Sequence, residues 1–338
     1  MTGKEIVEMA FNLEKTPRLP VTLIGGGAWY LNWLGKTYGQ IKGDPEQLAD
    51  YTIQAVKRFK HDLVWSGSGL INYPYHVLGA PIKDDTADPA ALEGPVIKSN
   101  DELDTLDRAK VLNDPMIQGM IRSHHLAADA IGKECLVIPT QWGPFTGAAR
   151  ILGAEALMME TFEAPEETAK LIAFSTEMIW EMVEPMLTHP DVAGVNFSEP
   201  VASGDMVSPD TFRSLVAPFL KDLVDRLKAK GKYAMIHICG DTTGILDQVA
   251  EIAPHCFSLE AKVDLARAKE VLGGRVCVAG QVSPIGSFLD GTPEEVKTEA
   301  QTCIDTWGDD PGFLLTLGCD FPTKVPIENL DALMSFKA

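Results

Sequence analysis

The feature that most constrains this chain is a regular alternation. Short apolar, often β-branched runs alternate with longer amphipathic stretches. The runs cover residues 21–25, 62–65, 134–139, 194–197, 233–238, 256–259, 276–279 and 312–317. Several are apolar throughout, the pattern of strands covered on both faces. Helical periodicity fills the gaps, most clearly at 45–59, 164–189, 209–230, 243–253, 264–272 and 293–307. Pro209 and Pro293 sit where a first-turn proline belongs, after the N-cap candidates Ser208 and Thr292. Eight strands alternating with helices predict an α/β fold: a single (β/α)₈ TIM barrel with an N-terminal extension, one domain over residues 1–338. A doubly wound open sheet is the alternative. The first run leads only into Gly25-Gly26-Gly27, without the G-x-G-x-x-G of a dinucleotide site.

Composition narrows the function. The chain is 45% hydrophobic, enough for a large core. Its net charge of −19 repels nucleic acid and anionic membranes, so neither is expected as a partner. No run of about 18 apolar residues suggests a membrane span, and the first 20 residues lack the apolar centre of a secretion signal. Six cysteines are too few for a disulfide scaffold, so reduced thiols and a cytoplasmic location are expected.

In a barrel, active residues gather just beyond the strand ends at one mouth. The polar residues in those places are Thr140 and Gln141, Glu199, His237 and Cys239, Glu260, Gln281 and Ser283, and Cys319. In His237-Ile238-Cys239-Gly240 the first and third side chains share a face of an extended chain, and Gly240 frees the backbone to turn away. Cys319 follows the last run. One imidazole and two thiolates suit zinc, and three protein ligands leave the open position of a catalytic site. Spacing alone leaves a second reading, in which the three side chains are merely packed or hydrogen-bonded.

Longer motifs separate those readings. Ile236-His237-Ile238-Cys239-Gly240, Gly318-Cys319 and Pro326-Ile327-Glu328-Asn329-Leu330 resemble the methyltransferase branch of the uroporphyrinogen decarboxylase superfamily. So do Gly143-Pro144-Phe145-Thr146, Glu199-Pro200-Val201-Ala202-Ser203 and Gly280-Gln281-Val282-Ser283-Pro284. The resemblance is specific from about residue 130 onward. It implies a TIM barrel with zinc on His237, Cys239 and Cys319. It also implies methyl transfer between a small substrate and the cobalt of a corrinoid (cobalamin) carried by a partner protein. Glu199 or water is expected as the fourth zinc partner, with Glu260 and Gln281 as further catalytic candidates. A second copy of the chain is a further candidate partner.

Two departures bear on the substrate. Relatives of this branch usually carry aspartate at position 199 and can carry an acid at position 142; here stand Glu199 and Trp142. The true decarboxylases grip an acidic tetrapyrrole with an arginine-rich N-terminal segment. The corresponding Gly25-Gly26-Gly27-Ala28-Trp29-Tyr30-Leu31-Asn32-Trp33 contains no arginine, which argues against decarboxylation. Trp29, Tyr30, Trp65, Trp142 and Phe145 are the candidate substrate walls, fitted to an aromatic ring or a methylammonium. Phenyl methyl ether O-demethylation is therefore favoured. The alternatives are methylcobalamin:thiol transfer, a decarboxylase, and a non-catalytic subunit with structural zinc.

Overall fold

A computed structural model describes residues 1–337. Seven parallel strands form one curled sheet in chain order: β1 (Leu63–Ser66), β2 (Leu136–Trp142), β3 (Gly194–Ser198), β4 (Tyr233–Ile238), β5 (Cys256–Leu259), β6 (Cys277–Val282) and β7 (Phe313–Leu317). Helices cross between successive strands, as a TIM barrel requires. Almost every strand residue is buried, which explains the unbroken apolar runs.

The expected eighth strand at residues 21–25 is reduced to a single parallel bridge, Val21 with Leu315. On the β7 side the backbone pairs normally: Leu315 N–H donates to Pro20 O at 3.0 Å and Thr22 N–H to Leu315 O at 3.1 Å. On the β1 side one long backbone bond remains, Asp62 N–H to Val21 O at 3.4 Å, and side chains make the other contacts. Val21 N–H donates to Asp62 Oδ2 at 3.0 Å and Leu23 N–H to His61 Nδ1 at 3.3 Å. Pro20 has no N–H to give, and Gly25 and Gly26 turn the chain at φ +73° and +74°. A two-sided strand has no room to extend. The seam is reinforced by Asp62, which holds Arg18 at 2.7 Å and Lys337 at 2.7 Å.

The helices start where their caps dictate. Asp44 accepts from Gln47 N–H ahead of Pro45–Phe59, and Thr292 and Glu295 form a capping box at Pro293–Trp307. The expected helix at 209–230 divides into Pro209–Thr211, a π segment Phe212–Val216 and Ala217–Ala229. Pro218 lacks the N–H that would continue the i to i−4 ladder, so the register slips there. No helix among the described residues is long and apolar enough to cross a membrane.

Candidate metal centre

Strand register sets the geometry. Ser198 on β3 pairs with His237 on β4, and His237 with Ser258 on β5. His237 therefore points into the mouth with Ser258 beside it, and its Nδ1 lies 3.1 Å from Ser258 Oγ. That contact fixes the ring and leaves Nε2 free to bind. Nε2 lies 3.1 Å from Cys239 Sγ, which lies 3.1 Å from Cys319 Sγ. The three donor atoms fall within 4.8 Å of one another, and His237 is buried. Both cysteines are free thiols. The hydrogen bond with Cys239 and then burial hold the Cys319 thiol well above its ordinary pKa. A soft or borderline divalent ion that took the place of the shared proton would satisfy both sulfurs and the imidazole. The donor set thus fits a metal, with Ser258 supporting the histidine from behind.

The trio opens onto a cavity of about 370 Å³, also lined by Trp65, Asn72, Thr140, Trp142, Arg150, Ser198 and Asp320. Trp65 stands beside the histidine, ring centroids 5.5 Å apart. Two of the five expected aromatic walls, Trp65 and Trp142, face this cavity.

Trp29, Tyr30 and Phe145 do not. Trp29 and Tyr30 lie on the helix Gly27–Trp33 and pack with Trp33, Phe59 and Phe321. Trp29 Nε1–H donates to Val325 O at 2.8 Å, and Tyr30 Oη lies 3.3 Å from His61 Nε2. Phe145 has no exposed surface and belongs to the core. An aromatic count near strand ends cannot tell a wall from a wedge.

The three expected catalytic residues also act as supports. Glu199 is fully buried, and its two oxygens accept from Phe145 N–H at 2.9 Å and Thr146 N–H at 2.7 Å. It closes the N-terminus of the helix Pro144–Leu152, and both its oxygens are engaged there. Burial outweighs these hydrogen bonds and pushes its carboxyl up to about 7. Glu260 accepts from Gly240 N–H, bracing the turn just after Cys239. Gln281 donates to Val263 O at 2.7 Å and Glu260 O at 3.2 Å, holding that brace in turn. Buried turns full of unpaired N–H and C=O groups claim such side chains before a substrate can.

Sequence reasoning passed over Ser258, Asn72 and Arg150. Ser258 was legible: it sits one strand across from His237 in register. Asp320 accepts from Gly26 N–H and Phe321 N–H, fastening the glycine turn to the loop that carries Cys319. A Cβ on Gly25 would meet Asp320 Cγ at 2.6 Å, so the turn must be bare.

The profile of the uroporphyrinogen decarboxylase (URO-D) family matches residues 2–337. The chain belongs to that family. Within the URO-D relatives, a methylcobamide:CoM methyltransferase, MtaA of Methanosarcina barkeri, is 25% identical over 332 residues, covering 96% of this chain and 93% of its own. A methylated-thiol–coenzyme M methyltransferase of Methanosarcina mazei is 26% identical over 264 residues, 78% of this chain and 68% of that protein. A solved methyltransferase from Methanosarcina mazei superposes with a TM-score of 0.84 at 20% identity, over 100% of this chain and 98% of its own. That last likeness shows the barrel fold.

Proposed function

We propose that this protein is a zinc-dependent methyltransferase that moves a methyl group between a small substrate and the cobalt of a corrinoid held by a partner protein. The observation that carries this is the convergence of His237 Nε2, Cys239 Sγ and Cys319 Sγ on one point of the cavity wall. Three ligands with a cavity in front of them match a catalytic site, where one position stays open for substrate. The methylcobamide relatives, aligned over nearly the whole chain, support the same chemistry.

Zinc held there would lower the pKa of a substrate thiol or polarise an ether oxygen. The protein's part is to fix and exclude. Ser258 fixes the imidazole, Glu260 braces the loop of Cys239, and Asp320 anchors the loop of Cys319. Trp65 and Trp142 narrow the space around the reacting atom. Two directions use this arrangement. A thiolate can take a methyl from cobalt, the direction the relatives' names support. A phenyl methyl ether can give its methyl to Co(I), a reading that now rests on Trp65 and Trp142 alone. Decarboxylation of a tetrapyrrole with many carboxylates fits poorly, because among the described residues Arg150 is the only Lys or Arg on the cavity wall.

The test is metal analysis followed by two assays: demethylation of methylcobalamin by thiols, and methylation of Co(I) cobalamin by methyl ethers. Activity that tracks zinc content is expected. Full activity in metal-free protein would overturn the proposal. A fourth protein ligand in the metal-loaded structure would instead support a structural metal in a non-catalytic subunit.

A further inference from the structure

Arg150 projects from the helix Pro144–Leu152 into the same cavity. Its guanidinium carbon lies 4.8 Å from the centroid of the Trp142 ring. That ring is a fixed platform. Trp142 Nε1–H donates to Asn72 Oδ1 at 2.7 Å, and Asn72 Nδ2–H donates to Ala90 O at 2.8 Å. What the guanidinium lacks is a carboxylate. Arg18, Arg108 and Arg226, also partly buried, grip Asp62, Glu181 and Glu177. Among the described residues no acid pairs with Arg150, and its Nε is buried without a hydrogen-bond partner. Glu199 spends its oxygens on Phe145 and Thr146, and Asp320 accepts from Gly26 and Phe321.

A buried cation without a counter-charge is costly and is tolerated where an anion arrives to meet it. The planar guanidinium fork suits carboxylate and sulfonate oxygens.

We propose that Arg150, stacked on Trp142, binds the anionic end of the substrate, a carboxylate or sulfonate, while the reacting atom sits at His237, Cys239 and Cys319. This rests on the methyl-transfer reading above. The register supports the span. Trp142 pairs with Ser198, and Ser198 with His237, so the two residues stand two strand spacings apart, roughly 10 Å, before their side chains reach inward. A small arene or short thiol with an anion at one end and the reacting heteroatom at the other bridges that gap. A methylammonium does not belong here, since it would face a fixed positive charge.

Calorimetric binding to the metal-loaded protein tests this without any turnover. Two ligand pairs are compared: 4-methoxybenzoate with methoxybenzene, and 2-mercaptoethanesulfonate with 2-mercaptoethanol. In at least one pair the anion should bind about 10- to 100-fold more tightly than its neutral partner. The pair that shows the preference identifies the substrate as arene carboxylate or thiol sulfonate. Arg150→Met should abolish the preference with metal content unchanged, and Arg150→Lys should retain part of it. No preference in the wild-type protein for either pair, or a preference that survives Arg150→Met, would overturn the proposal. Thermal melts establish that the variants fold, and the wild-type comparison decides even if Arg150→Met does not. An anion preference lost in Arg150→Met, alongside no methyl transfer from any donor, would sustain the anion site and sink the methyl-transfer reading.

Discussion

The strand ends of the candidate metal centre and the N-terminal helix Gly27–Trp33 both carry residues suited to a site, but they stand in different places. His237, Cys239 and Cys319 converge on the cavity. Trp29 and Tyr30 turn away from it into an aromatic core with Phe59 and Phe321. The difference lies in how each direction is set. A residue at a strand end inherits its direction from the two-residue period and from neighbouring register. A residue on a short helix after a glycine turn takes its direction from the angle of that turn, which no local pattern encodes.

The sharpest way to break this comparison is to exchange the effects of the two regions. Cys239→Ser should remove the metal and lower methyl transfer by about 10³-fold or more while the fold persists, since the catalytic constellation loses one of three ligands. Metal analysis and circular dichroism check it, and an unfolded variant would make the site structural. Trp29→Ala should do the reverse. It should cost about 3–5 kcal/mol of stability, with activity retained below the melting temperature. A rise in KM with unchanged melting would place Trp29 back in the substrate site.

A pH experiment tests the support role of Glu199. The folded-state carboxyl sits at about 7 against an ordinary value of 4.5, so the folded protein holds its proton more tightly than the unfolded chain. Stability from this group should therefore fall as pH rises from about 4.5 to 7, by on the order of 3 kcal/mol. The buried His61 and His124, both pushed down to about 3 by burial, act in the opposite sense: their folded forms refuse protons, and stability is lost as pH falls below 6.5. The clean measurement is the difference between wild type and Glu199→Gln in urea, which should shrink between pH 5 and pH 8. The smallest effect is expected at Ser258→Ala, behind the metal ligands: metal affinity about 10- to 100-fold weaker, with melting of the metal-free protein little changed.

Much of the fold was legible because parallel strands covered on both faces leave an unmistakable trace. The bounds of Pro45–Phe59, Pro293–Trp307, Tyr233–Ile238 and Cys256–Leu259 follow from caps, first-turn prolines and apolar runs. The first strand was misread because its pairing is half made by side chains of His61 and Asp62, which sequence patterns do not register. Within the site, the His-x-Cys spacing carried its own geometry. Glu199, Glu260 and Gln281 bond the turns around the site, a use of a polar residue at a strand end that the sequence pattern does not separate from contact with a substrate. Arg150 went unnoticed because its significance is the absence of a partner, and only the assembled cavity reveals that absence.

The seam between residues 20–24 and β7 carries a consequence for how the protein comes into being. The ring is fastened by contacts between the two ends of the chain, among them Lys337 to Asp62 and Leu315 to Pro20. Contacts so distant in sequence form late and slowly. Cys319 arrives with that last strand, so a chain still emerging from the ribosome can present His237 and Cys239 but not the complete trio. On the proposed reading, metal acquisition is thereby tied to completion of the barrel, because the full donor set exists only once the last strand is in place.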